Sequence, residues 1–246
     1  DRGLVALSRV QSLQSIELHH ADIHSTGFEA MKVLPNLHTL VLRNHYPDPA
    51  GLEALAQHPA LSVIDVACER GEAQPAGFAD LGKMTGLTKL ALDCPQVDDR
   101  VAKELQTLTG LVHLDLGNTA ISDAGLAPLA AMENLRTLKL HHTRVTHRGL
   151  AALTELGHLE LLELDHTDVI DRGVTHLEGL KTLRELRLDH TLVTDKALGS
   201  LTGLTGLARL NLDGTVVTPE AAATLAKELP NLQTLHLGDP RHNPAH

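Results

Sequence analysis

Leu183-Arg184-Glu185-Leu186-Arg187-Leu188-Asp189-His190-Thr191-Leu192-Val193-Thr194-Asp195-Lys196-Ala197-Leu198-Gly199-Ser200-Leu201-Thr202-Gly203-Leu204 carries two periods in one unit. Leu186 and Leu188 alternate with polar neighbours, the pattern of a strand with one buried face. Leu198, Leu201 and Leu204 recur every third residue, which suits a short helix burying one stripe. Strand and helix inside two dozen residues form a unit that cannot bury its apolar face alone, so it must be stacked against copies of itself.

The copies are present. Aligned on Leu-x-x-Leu-x-Leu, units begin at Leu13, Leu37, Leu61, Leu87, Leu111, Leu135, Leu159, Leu183, Leu207 and Leu232, at spacings of 24, 24, 26, 24, 24, 24, 24, 24 and 25 residues. The composition agrees with a repetitive aliphatic core: 246 residues include no Trp, one Tyr and two Phe. Helix starts are marked by Thr218-Pro219-Glu220 and by Asp48-Pro49, each with a capping oxygen before a proline. Gly125, Gly149 and Gly173 share one position near the helix start, where close backbone packing is expected.

On these residues, and on Asn118-Thr119-Ala120-Ile121-Ser122-Asp123-Ala124-Gly125-Leu126 in particular, the chain resembles the leucine-rich repeat family in a bacterial variant with Thr-x-Val-Thr-Asp-x-Gly-Leu units. The resemblance implies an α/β fold: a curved solenoid with a parallel β-sheet on the concave face and short helices on the convex face. It implies a binding module, often one part of a longer protein. The family's buried turn Asn is replaced here by Thr119, Thr143, Thr167, Thr191 and Thr215, read as a hydroxyl ladder in its place. Residues 1–12 read as the second half of a repeat and 1–237 as one solenoid, followed by a solvated tail at 238–246. The expectation is that the chain is part of a longer protein, or that something upstream covers its first edge.

A net charge of -10 with no basic cluster argues against nucleic acid or an anionic membrane surface as partner. No Gly-rich phosphate loop, nucleophile elbow or paired His-Glu helix motif is present, so no catalytic residue and no cofactor is assigned. Two cysteines are no disulfide framework and favour a reducing, cytoplasmic setting; a secreted bacterial effector with its catalytic domain elsewhere is the alternative. Cys68 and Cys94 fall in one column and read as two small side chains copied together rather than a redox pair.

The partner, a protein or peptide, is expected on the sheet face. Nine of 17 histidines fall on the fifty positions assigned there, where about three or four would fall by chance. His142, His166 and His190 form a column at 24-residue spacing beside Asp165 and Asp189. With Lys139, Glu163 and Arg187 these form the candidate contact surface, all expected to face solvent. Metal binding by this array is the less favoured alternative, because colinear ligands seldom converge on tetrahedral geometry. Tyr46, in the irregular stretch Asn44-His45-Tyr46-Pro47-Asp48-Pro49, is the expected hot spot of the interface.

Overall fold

A computed structural model describes residues 1–21, 23–44, 47–68 and 76–238. Ten strands form one parallel sheet in strict chain order: β1 (Ser15–His19), β2 (Thr39–Arg43), β3 (Val63–Ala67), β4 (Lys89–Asp93), β5 (His113–Asp115), β6 (Thr137–Lys139), β7 (Leu161–Glu163), β8 (Glu185–Arg187), β9 (Arg209–Asn211) and β10 (Thr234–His236). The register reproduces the sequence spacing. Thr39 pairs with Val63, 24 residues on; Val63 pairs with Lys89, 26 on; Arg209 pairs with Thr234, 25 on. Strands in sequence order sit about 4.8 Å apart, whereas packed helices need 8–10 Å. The sheet therefore takes the shorter, concave side of the solenoid.

Helical segments return the chain along the convex side. Some are α-helices, such as Pro49–Ala56 and Pro219–Glu228; others, such as Gly149–Glu155 and Asp195–Leu201, are 3-10 helices. The Leu198, Leu201, Leu204 spacing explains the second kind, because three residues per turn put them on one line facing the core. The caps read from sequence are formed: Asp48 accepts from Gly51 N at 2.6 Å and Thr218 from Ala221 N at 3.3 Å. No helix among the described residues is long and apolar enough to cross a membrane.

The core is a stack of aliphatic layers. Leu114, Leu138, Leu162, Leu186 and Leu210 occupy one column on successive strands, and all are fully buried. Thr119, Thr143, Thr167, Thr191 and Thr215 are buried, and each donates Oγ1 to the carbonyl three residues earlier at 2.5–2.6 Å. The hydroxyls thus close the turn of their own repeat, where the sequence reading had them serving neighbouring backbones.

The inter-repeat link is made by another column. Asp99, Asp123, Asp171 and Asp195 each accept from the backbone N–H and the hydroxyl of Ser122, Thr146, Thr194 and Thr218, 23 residues on, at 2.6–2.9 Å. The glycine column is close-packed for the same reason. A Cβ on Gly149 would lie 2.6 Å from Asp123 Oδ1 and 2.9 Å from its Cα.

Cys68 and Cys94 correct the sequence reading: they are joined as a disulfide, with Cα atoms 4.7 Å apart. They directly follow the in-register pair Ala67 and Asp93, so neighbouring parallel strands bring their Cα atoms to bonding separation.

His58, which the sequence did not single out, is buried, and its Nδ1 accepts from Ala60 N and Leu61 N at 3.2 and 3.1 Å. Burial lowers its pKa below the usual imidazole value, against the opposing pull of the Met31 and Leu34 carbonyls. The unfolded chain then binds the proton first, so this contribution to stability is complete above about pH 6.5 and is lost as the pH falls through the folded pKa. Thermal melts are expected to drop more steeply below pH 6.5 for the wild type than for His58→Asn. Parallel slopes would show that His58 contributes nothing to acid sensitivity.

Candidate functional site

Three rows of side chains cross β5 to β9 on the concave face. The first runs along the strand ends, with Asp115, Lys139, Glu163 and Arg187 in register and alternating in sign. The ladder continues past the strands, since His142 N donates to Asp165 O, His166 N to Asp189 O and His190 N to Asp213 O. This extension sets the second row, His141, Asp165, Asp189 and Asp213. The third is Asn118, His142, His166, His190 and Gly214.

The third row ends the strands by turning into the left-handed region. Its φ values are 57° at Asn118, 51° at His142, 55° at His166, 54° at His190 and 65° at Gly214. Gly adopts this conformation freely, and Asn and His enter it more readily than most residues, whose Cβ costs roughly 1–2 kcal/mol there. The three histidines therefore stand at a turn beyond the strands, where the sequence reading had placed them on the strands themselves. They are exposed, as expected, and their rings stack with centroids 4.0 Å apart for His142 and His166 and 4.4 Å for His166 and His190.

Other site residues depart from expectation. Glu163, Asp165 and Asp189 were expected to face solvent, yet they are only 6%, 5% and 5% exposed. Side chains on a concave face converge, and here long cationic neighbours close over the acids. Arg187 alone lies 3.7 Å from Glu163 Oε1, 3.6 Å from Asp165 Oδ1 and 3.4 Å from Asp189 Oδ1. Lys139 Nζ is 3.2 Å and His141 Nδ1 3.3 Å from the Glu163 carboxylate. Burial pushes the Glu163 carboxyl up, but His141, Lys139 and Arg187 outweigh it and hold it below its ordinary value. Glu163 in turn raises the His141 imidazole against the effect of burial, with Asp115 and Asp165 adding to it.

His141 and Asp115 belong to this network and were not chosen from sequence. Their 24-residue offset from Asp165 and Lys139 was the available signal. Tyr46 lies outside the described residues. Beside the network, Glu185, Arg187, Arg209, Leu210, Asn211 and His236 line a shallow depression on the same face.

Solved structures share this architecture. An internalin of Listeria monocytogenes superposes with a TM-score of 0.65 at 20% identity, covering 98% of this chain and 74% of that one. The fold is a leucine-rich repeat solenoid. Internalin C2 of the same species gives 0.62 at 20% identity, over 96% of this solenoid and 93% of its own chain. A leucine-rich repeat protein of Leptospira interrogans gives 0.62 at 18%, over 94% and 62%. No protein-family model and no curated protein matches the sequence.

Proposed function

We propose that this solenoid is a scaffold that binds a protein or peptide ligand on its concave sheet face, and that it is not itself an enzyme. The observation that carries the reading is the imidazole row. Three consecutive repeats place His at a left-handed position that His20, Asn44, Asn118 and Gly214 fill elsewhere in the same chain, and among the described residues only the consecutive three stack into a row. The backbone there is equally served by Asn or Gly, so the turn does not require imidazoles, and they are read as kept for what they present to solvent. They top a rigid ion-paired network, and a preformed surface loses little entropy when a ligand docks. Arg187, at the centre of that network, is of a residue type in which binding energy concentrates.

The chain itself supplies the right substitution. His142→Asn/His166→Asn/His190→Asn removes the row while keeping a residue suited to the turn, so its melting temperature should equal or exceed that of the wild type. Peptides selected from a random display library on wild-type protein are expected to bind the triple variant at least tenfold more weakly. Selected peptides that bind both proteins equally would place the ligand surface elsewhere.

A further inference from the structure

The ion network is unbalanced in one place. The first row pairs two acids with two bases, but the second adds Asp165 and Asp189, both buried, with no lysine or arginine of its own. Arg187 is shared among three carboxylates. Asp115, Glu163, Asp165 and Asp189 thus face two fixed cations, Lys139 and Arg187, with His141 drawn toward its charged form as a third, so that acids still outnumber bases. Asp165 is the least satisfied of the four. Its Oδ1 is buried and accepts no hydrogen bond, with Arg187 Nε 3.6 Å away. Surplus negative charge in a half-dry site is unfavourable and is relieved by a cation that binds there.

What stands over Asp165 is a pair of imidazoles. His166 Nδ1 lies 3.3 Å from Asp165 Oδ2, and the His142 ring stacks on that of His166. One nitrogen of each histidine and one oxygen of Asp165 lie within 4.8 Å of one another. We propose that His142, His166 and Asp165 form a binding site for a divalent transition-metal ion of the zinc class. Two imidazoles and a carboxylate are a donor set that suits zinc, nickel or copper, and water completes the shell. Ligands fixed along straight columns would not converge. The left-handed turns instead lift both rings over the buried acid. Bonds of 2.0–2.1 Å at a tetrahedral angle require ligand atoms about 3.3 Å apart. Rotation of the two exposed rings closes that gap while Asp165 stays anchored.

This site is separable from peptide binding, because it is read on the free protein with metal alone. The 246-residue chain, stripped of metal with a chelator that is then dialysed away, is titrated calorimetrically with ZnCl2, beside His142→Asn/His166→Asn, Asp165→Asn and His113→Asn. The expected result is one zinc per chain whose affinity falls at least tenfold in the first two variants and is unchanged in the third, which removes another exposed histidine of the same sheet. Should Asp165→Asn fail to fold, the double histidine variant decides alone, since Asn is native to that turn at two other repeats. Wild type and double variant binding zinc equally, or wild type binding none, would overturn the proposal.

Discussion

Leu162→Ala is expected to lower the folding free energy by about 2–5 kcal/mol, the range for emptying a fully buried leucine site. Leu162 is 0% exposed in the middle of β7, with Leu138 and Leu186 equally buried on the flanking strands. Collapse around the cavity is resisted because each neighbour is itself pinned by the next repeat. In a solenoid each repeat touches only its neighbours, so a weak central layer also uncouples the two halves. The urea transition should shift to lower concentration and broaden. Leu192→Ala is the internal control: Leu192 is 47% exposed, and its loss should stay within roughly 0.5 kcal/mol. Equal effects at the two positions would mean that the aliphatic layers do not dominate stability.

The second large effect concerns the Asp ladder. Asp123→Ala removes two charge-assisted bonds, to Thr146 N and Thr146 Oγ1, both 2.7 Å, and leaves a half-buried N–H unsatisfied. A loss of about 2–3 kcal/mol is expected, since bonds to charged acceptors are the stronger class and an orphaned donor keeps its desolvation penalty. Between the rungs of Asp99 and Asp195 one is naturally missing. At the equivalent offset of 23 residues, His147 and Ile170 stand where the other rungs have Asp and Thr or Ser. Ile170 caps its helix with no side-chain bond. His147→Asp together with Ile170→Thr should rebuild the rung and stabilise by about 1–2 kcal/mol, while each change alone gains little. A double-mutant cycle in urea measures the coupling. Strict additivity would show that these bonds do not tie repeats together.

The first prediction rests on a column legible in the sequence alone. The 24-residue arithmetic placed Leu138, Leu162 and Leu186 on one line, brought Gly149 against its neighbour, and aligned His142 with His166. The same arithmetic would have aligned Asp115 with Lys139 and Glu163 with Arg187, had sign alternation along a column been looked for. The Asp ladder was visible only as the Asp of the Thr-x-Val-Thr-Asp-x-Gly-Leu unit, because its bonds cross between repeats. Three features were not legible in this way. Burial of Asp165 and Asp189 depends on how far Arg187 reaches across a concave surface. The Cys68–Cys94 bond depends on a separation of one strand spacing at one position. The placement of the imidazoles depends on where the strand stops.

The sequence by itself determined the number of layers, the strand order, the register and which leucines are inside, since period and spacing alone decide which faces can be buried. Only the tertiary structure decided which polar groups meet. Long side chains on a curved sheet bend toward one another over distances that repeat spacing does not encode, and the left-handed turns at Asn118, His142, His166, His190 and Gly214 redirect a row that periodicity alone leaves on the strand.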